Sequence, residues 1–135
     1  MKIDHVGIAV ASLAEARPVF EKLLGCAATE EAVEEQKVRV LSFDLSGSRI
    51  ELLEASSPDS PIAKFLANRG PGLHHMTLTV PDLDETLLRL EAEGFQLIDR
   101  QPRLGAGNER IAFLHPSSTA GVLIELMERK SEHTE

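Results

Sequence analysis

The stretches Asp4-His5-Val6-Gly7-Ile8-Ala9-Val10 and His74-His75-Met76-Thr77-Leu78-Thr79-Val80 decide the fold of this chain. Each alternates large apolar residues with small or polar ones at the two-residue period of a strand that buries one face. When the apolar residues of the two stretches are matched, His75 becomes the counterpart of His5, and His74 faces the opposite way. A strand that recurs in this form predicts a duplicated module with one inward histidine in each half.

A second pair of stretches repeats in the same order. Ile50-Glu51-Leu52-Leu53-Glu54 returns as Ile124-Glu125-Leu126-Met127-Glu128. Glu51 and Glu125 interrupt otherwise apolar strands, and an inward carboxylate is costly unless it is paired or bound to a cation. Glu54 and Glu128 repeat as well, but alternation puts them at strand ends on the opposite face, where we expect them to be solvated.

The remaining signals give each half a β-α-β-β-β order, in a first module (1–68) and a second (73–130). The first half has a helix that Ser12 caps and Gly25 ends, with Pro18 as an awkward interior residue, and a hairpin about Ser46-Gly47. Strands are predicted at 4–10, 28–34, 38–45 and 48–54, and a short helix at Ser60-Pro61. The predicted fold is α+β, one domain over 1–135 whose two βαβββ modules form a curled mixed sheet around a metal site.

The second half repeats this plan up to its first helix. That helix is predicted at about 83–93, with Leu83, Leu87, Leu88 and Leu90 inward, and Gly94 follows it. Strands are predicted at 74–80, near 96–100, at 109–115 and at 121–127. Lys130 to Glu135, which includes His133, is predicted to be a frayed tail without a functional role.

Composition excludes several classes of protein. The 135 residues are 42% hydrophobic and 27% charged, which is ordinary for one soluble domain. No apolar run approaches the roughly 18 residues of a membrane span, and the early first strand leaves no room for a signal peptide, so we expect a cytoplasmic protein. A net charge of −8 without Tyr or Trp argues against nucleic acid binding. The single cysteine, Cys26, is read as a packing residue.

The two repeats together predict a metal site. A single Glu or His at a strand end is most often solvated, but His5, Glu51, His75 and Glu125 recur as a pair of pairs. Two imidazoles and two carboxylates without a thiolate favour a divalent ion, with Co²⁺ expected and Mn²⁺, Ni²⁺ or Zn²⁺ as alternatives. The open positions of such an ion would accept two adjacent substrate oxygens and stabilise an enolate.

The repeated stretches, together with 59–66, 72–75 and 104–126, resemble the vicinal oxygen chelate superfamily and, within it, the methylmalonyl-CoA epimerase family. The resemblance covers nearly the whole chain and places the family's metal ligands on the same four residues. It implies interconversion of (2R)- and (2S)-methylmalonyl-CoA by removal and return of the α-proton. Glu125 is the expected acid or base. The second group is left among Glu51, Gln36 and an ordered water, because Val38-Arg39-Val40-Leu41 has no inward acid where some members carry one.

Contacts to the CoA thioester are predicted from the same resemblance. Backbone N–H groups at the Ser60-Pro61 helix start and in the Gly105-Gly107 loop suit phosphates, and Lys64, Arg103 and Arg110 lie near them in sequence. His115 is expected to line the pocket. Lys37 departs from the family, which often has Gly there.

Three other functions remain open at this stage. A glyoxalase I-like lactoylglutathione lyase shares the ligand pattern, and a metal-dependent dioxygenase of the superfamily usually has two His and one carboxylate. A metal-free sequestration protein would typically lack the inward His and Glu residues. A homodimer is expected from the superfamily's habit of pairing modules between chains.

Overall fold

The structure is a computed structural model that describes residues 1–129; the predicted tail and His133 fall outside this range. The α-helices are α1 (Leu13–Leu24), α2 (Pro61–Arg69) and α3 (Leu83–Ala92). The strands are β1 (Lys2–Ala9), β2 (Thr29–Val33), β3 (Val38–Asp44), β4 (Arg49–Ala55), β5 (Gly72–Val80), β6 (Arg103–Leu104), β7 (Arg110–Leu114) and β8 (Ile124–Glu128). Short 3₁₀ turns lie at Glu34–Gln36, Ala106–Asn108 and Pro116–Ser118. Within residues 1–129, every helix is too short or too polar to cross a membrane.

The chain forms two compact units, of which one is His5–His74. Its strands are ordered β2-β3-β4-β1. β1 and β4 are parallel, and the chain between them forms α1, β2 and β3. β3 is antiparallel to both of its neighbours, β2 and β4. Ser12 caps α1 and Gly25 ends it in a left-handed conformation, as predicted, and the helix continues through Pro18.

Among the described residues, the other unit consists of Met1–Asp4 and residues 75–129. Its strands are ordered β5-β8-β7-β6, with β5 and β8 parallel and the other neighbours antiparallel. This is the connectivity of the first unit repeated, so the predicted α+β fold of βαβββ modules is confirmed. The module boundaries at residues 68 and 73 stay a prediction.

Each unit has its own apolar core. In the first unit, α1 contributes Leu13 to a cluster with Leu41, Phe43 and Leu52. The opposite side of the same strands packs on α2 through Ile62. In the second unit, α3 buries Leu83, Leu87 and Leu90 against β7 and β8. The expectation for Leu88 was wrong: its side chain is 70% exposed, because it lies about 100° around the helix from Leu87.

The prediction of a strand at 96–100 was also wrong. Leu97 makes only an isolated bridge to Leu114, and the short strand forms at Arg103–Leu104 instead. The Asp99 carboxylate accepts a hydrogen bond from the Phe113 backbone N–H at 2.8 Å. A side chain that takes a backbone donor in this way competes with the ladder of a regular strand.

Glu54 and Glu128 are not simply solvated, contrary to expectation. The Leu13 N–H at the start of α1 donates to Glu54 at 2.8 Å. The Leu83 N–H at the start of α3 donates to Glu128 at 3.0 Å. Each glutamate therefore binds the start of a helix, where unpaired N–H groups and the helix dipole favour a carboxylate. The two glutamates that end the second pair of repeated stretches, Glu54 and Glu128, are therefore equivalent caps of α1 and α3.

Lys37 has a backbone conformation that favours glycine, but its side chain makes an ion pair that glycine could not make. Its backbone is left-handed, with φ 56°, a conformation that favours Gly and costs other residues strain. Its ammonium group forms an ion pair with Asp59, which lies one residue before the cap of α2. The hydrogen bond from Lys37 and a second from Ser57 lower the pKa of Asp59 from 3.8 to about 2. Lys37 thereby ties the start of β3 to the loop before α2.

We expect Lys37→Met to make the unfolding free energy less dependent on pH under acidic conditions. A carboxyl whose pKa is depressed contributes stability above its unfolded pKa, 3.8, and loses it as the pH falls through its folded pKa, about 2. The unfolding free energy from urea titrations should therefore change less with pH between about 4 and 2 in the variant than in the wild type. Parallel profiles would mean that the ion pair does not form in solution. Lys64→Met, which removes an exposed lysine of the same unit, is the control.

Candidate metal centre and active site

The first unit contains a buried histidine beside a partly buried glutamate. His5 on β1 is 6% exposed, and its Nε2 lies 3.5 Å from Oε1 of Glu51 on β4. The parallel register sets Gly7 opposite Glu51 and His5 opposite Arg49. The Nη2 atom of Arg49 donates to Glu51 Oε2 at 2.8 Å and to His5 Nδ1 at 3.2 Å. One guanidinium therefore holds both members of the pair.

The second unit contains the equivalent pair. His75 on β5 places its Nε2 3.8 Å from Oε1 of Glu125 on β8. Here the register sets Thr77 opposite Glu125. The Thr77 hydroxyl, which is fully buried, donates to Glu125 Oε1 at 2.6 Å. A neutral donor thus does in this unit part of what Arg49 does in the other.

Both pairs suit a divalent cation as partial ligand sets. Imidazole and carboxylate ligands lie about 2.1 Å from ions such as Zn²⁺, so two of them at a tetrahedral angle are about 3.4 Å apart. The pairs are already at 3.5 and 3.8 Å, with Nε2 facing a carboxylate oxygen in each. The structure brings each predicted histidine to its predicted glutamate within its own unit, and the donor chemistry fits a metal.

Sequence reasoning missed three residues beside these pairs. Arg49 precedes Glu51 by two positions and therefore shares its face of β4. Thr77 follows His75 by two positions and shares its face of β5 in the same way. Phe113 lies opposite Glu125 in the β7–β8 ladder, and the Arg103 guanidinium is 5.4 Å from the centre of its ring. Two-residue spacing from a candidate ligand was the signal available for Arg49 and Thr77.

Strand β3, for which the sequence showed no inward acid, carries a serine beside the first pair. Ser42 is opposite Glu51 in the β3–β4 register. The strand therefore offers a small hydroxyl at this place rather than a second carboxylate, in agreement with the reading of 38–41 in the sequence. Gln36, the other predicted candidate, lies in the 3₁₀ turn before β3.

Three predicted substrate contacts are at chain turns or helix starts. Ser60 is fully buried and caps α2, and its hydroxyl accepts from the Ile62 N–H at 3.0 Å. Lys64 is exposed on the same helix. His115 is exposed, and its Nδ1 accepts from the Ser117 N–H at 3.0 Å. Their role in substrate binding stays a prediction.

Gly105 has a packing role of its own. A Cβ on this residue would lie 2.7 Å from the Cδ1 atom of Ile111, which is buried on β7. The glycine lets the loop after β6 pass closely over that side chain. A substrate contact at its N–H remains a prediction.

Arg110 is engaged away from the second pair. It projects from the opposite face of β7 to Phe113 and forms ion pairs with Asp84 and Glu128, both at 2.9 Å. The hydrogen bonds to Asp84 and then Glu128 raise the pKa of Arg110. This guanidinium reinforces the glutamate cap of α3.

His74, as predicted, does not share the position of His75. It packs edge-on against Phe65, and burial lowers the pKa of His74.

Comparison with known proteins agrees with the fold. The profile of the glyoxalase/bleomycin resistance protein/dioxygenase superfamily matches residues 4–113. The protein YqjC of Bacillus subtilis (strain 168), named as uncharacterized, is 46% identical over 97% of this chain and 94% of its own length. A mitochondrial methylmalonyl-CoA epimerase of Dictyostelium discoideum is 36% identical over 95% of this chain and 78% of its own.

A solved structure extends the likeness to three dimensions. A variant methylmalonyl-CoA epimerase of Streptomyces coelicolor, in complex with 2-nitronate-propionyl-CoA, has a TM-score of 0.84 and 33% identity, and the match covers 100% of this chain and 99% of that one. The chain belongs to the glyoxalase/bleomycin resistance protein/dioxygenase superfamily. Relatives and structural neighbours that share nearly its full length are named methylmalonyl-CoA epimerase.

We expect Thr77→Val to lower the unfolding free energy of the metal-free protein by about 1.5–3 kcal/mol, the usual range for a hydrogen bond to a charged group. Valine keeps the shape of threonine but leaves the Glu125 oxygen without this donor. Thr77→Ser keeps the hydroxyl and should lose clearly less. Urea denaturation with a chelator present measures both variants. A Thr77→Val protein as stable as the wild type would show that this hydrogen bond does not stabilise the fold.

Proposed function

We propose that this protein is a metal-dependent epimerase that interconverts (2R)- and (2S)-methylmalonyl-CoA. The observation that carries the proposal is the pair of His–Glu pairs, placed at equivalent positions of two units with the same strand connectivity. We propose His5, Glu51, His75 and Glu125 as the ligands of one divalent ion. Support for joining the pairs comes from the sequence duplication and from membership of the superfamily.

The substrate's acidic hydrogen lies between a carboxylate and a thioester. When bound, the metal ion would supply positive charge that polarises the thioester carbonyl and makes α-proton removal feasible near neutral pH. Glu125 would accept the proton from one face of the α-carbon, held in place by the Thr77 hydroxyl on Oε1. Inversion requires a second group that returns a proton to the other face. Glu51 is our proposal for that group, because Ser42 opposite it offers no carboxylate.

The CoA portion needs cations, since the chain carries a net charge of −8. Arg103 is the best placed in the second unit: it stacks on Phe113, the strand neighbour of Glu125 on the same face. In the first unit, the start of α2 at Ser60 with Lys64 one turn later suits a phosphate. We include His115 and the Gly105 loop among the residues that bind the CoA portion, on the basis of the family resemblance.

The finer points of the proposal concern the ion, the assembly and the cell. We propose Co²⁺ as the physiological ion, a homodimer as the working assembly and the cytoplasm as its location. A lactoylglutathione lyase is the second candidate, because it would use the same ligands. CoA rather than glutathione is favoured by the names of the relatives that share nearly the full chain.

Proton NMR of methylmalonyl-CoA in D₂O tests the reaction directly. We expect metal-loaded protein to exchange the α-hydrogen rapidly, and Glu125→Gln to slow exchange at least about 100-fold, the scale of general acid–base catalysis. Chelation of the metal should abolish exchange, and re-addition of Co²⁺ should restore it. Glu31→Gln, an exposed glutamate on β2, is the matched control.

The outcomes separate the candidates. Exchange that survives complete chelation would overturn the metal-dependent mechanism. Failure to exchange this substrate, together with turnover of the methylglyoxal–glutathione hemithioacetal, would establish the lyase instead. Binding of an intact small molecule with neither activity nor metal would indicate sequestration.

We expect Arg103→Ala to raise KM for the CoA ester about tenfold with little change in kcat, because a charge-assisted contact to phosphate is lost. Arg110→Ala should leave KM near the wild-type value and lower Tm, since its partners Asp84 and Glu128 belong to the α3 cap. Steady-state kinetics and thermal melts of the two variants check this contrast. A higher KM for Arg110→Ala, with an unchanged KM for Arg103→Ala, would instead support the Arg110 contact predicted from the sequence and exclude Arg103.

A further inference from the structure

Asp99 lies between α3 and β6 and is held against Phe113 of β7 by two hydrogen bonds. Its backbone N–H donates to the Phe113 carbonyl at 3.2 Å, and its Oδ2 atom accepts from the Phe113 N–H at 2.8 Å. The side chain of Asp99 is only 17% exposed. Because main chain and side chain are both bound to one residue, the carboxylate has a fixed direction, and its second oxygen has a defined position.

That second oxygen holds Arg103. The Oδ1 atom of Asp99 lies 3.2 Å from Nε of Arg103, and the Arg103 guanidinium is 5.4 Å from the centre of the Phe113 ring. A cation at this distance is attracted to the face of the ring. Asp99 approaches from the Nε side, so the edge with the two Nη atoms faces away from it. That edge of a guanidinium binds a phosphate through two parallel hydrogen bonds.

Strand register places Arg103 on the face of the sheet that carries Glu125. Arg103 is opposite Ile111 of β7, and Phe113, two residues further along β7, shares the face of Ile111. Phe113 is in turn opposite Glu125 of β8. Asp99 therefore fixes a cation on the side of this unit where the proposed acid or base lies.

The charge of Asp99 and its positioning effect act in opposite directions on an anion. A carboxylate beside Arg103 repels a phosphate, so on charge alone the loss of Asp99 would strengthen binding. Arg103 is 56% exposed, however, and an unheld arginine side chain loses rotamer freedom when it binds a ligand. Removal of the Asp99 charge thus has one sign if charge dominates and the other if positioning dominates.

We propose that Asp99 is a positioning residue for substrate binding, which holds Arg103 against Phe113 so that the guanidinium is in place for the phosphates of a CoA thioester. This inference rests on the proposed function and, within it, on the Arg103 contact. Asp99 acts only through Arg103. The segment at 96–100, which does not pair as a regular strand, gains a role in this way, since it supplies the carboxylate.

The test is a double-mutant cycle of Asp99→Asn and Arg103→Ala. Asparagine keeps an oxygen that accepts from the Phe113 N–H but loses the charge that pairs with Arg103. Asp99→Ser, whose hydroxyl oxygen is also an acceptor, is the second variant should the asparagine protein fold poorly. Glu91→Gln is the matched control, because it removes the same charge from a pair with Arg100 in the same unit.

Three quantities are measured for each variant. KM and kcat are determined with methylmalonyl-CoA and with methylmalonyl-pantetheine, which lacks the phosphates that Arg103 is proposed to bind. The Kd for CoA itself is determined by calorimetry and requires no turnover. Tm reports whether the variant is folded.

We expect Asp99→Asn to raise both KM for methylmalonyl-CoA and Kd for CoA at least about threefold, the lower end of coupling between side chains in contact, with kcat near the wild-type value. In the Arg103→Ala background the same substitution should change neither KM nor Kd. It should also leave KM for the pantetheine thioester unchanged. Glu91→Gln should behave as the wild type.

Tighter or unchanged CoA binding by folded Asp99→Asn protein would overturn the inference. An equal loss in the Arg103→Ala background would overturn it as well, because Asp99 would then not act through Arg103. Both results leave the epimerase proposal standing. Wild-type protein that binds no CoA would refute the Arg103 contact and this inference with it. Wild-type protein that binds CoA but does not exchange the α-hydrogen of methylmalonyl-CoA would refute the epimerase alone, and Kd would still test the role of Asp99.

Discussion

Burial of a carboxylate in an apolar strand is the constraint on which the site depends. Glu51 and Glu125 are each about 85% enclosed on strands whose neighbouring positions form the core, and an ionised group there needs partners. Parallel pairing of β1 with β4 and of β5 with β8 brings a histidine beside each. A donor from the same face, Arg49 or Thr77, completes the set. The same pairing turns Glu54 and Glu128 toward the starts of α1 and α3.

Much of the fold could be predicted from the sequence, because the duplication repeats both the strand period and the signals that start and end helices. Ser12, Gly25 and the Ser46-Gly47 turn act as their chemistry predicts. The segment at 96–100 was not readable, because its backbone pairing is broken by a long-range bond from Phe113 to Asp99 that no local pattern announces. The role of Glu128 was hidden for the same reason: its partner, the Leu83 N–H, is 45 residues away in sequence.

In the candidate site, too, features that depend on local alternation were predicted, and contacts that depend on strand register were not. Alternation identified which histidine of the His74-His75 pair joins Glu125, since side-chain direction in a strand depends only on position parity. It did not identify Arg49 or Phe113, because their contacts depend on strand register and on the reach of long side chains. Arg110 shows the converse limit. Its place near a glycine loop suggested a phosphate contact, which stays a prediction, whereas its ion pair with Glu128 depends on strand register, which the local sequence does not show.

The glutamate caps have a consequence for how the chain folds. Glu54 is 41 residues from the N–H it binds, so the first turn of α1 cannot gain this bond until the β3–β4 hairpin has docked beside β1. Helix initiation and strand docking therefore belong to one cooperative event in each unit, closed by a long loop whose entropy must be met before the bond forms. Such non-local closure raises contact order and slows folding. It also means that neither helix start can fray alone without loosening the end of the strand that carries its glutamate.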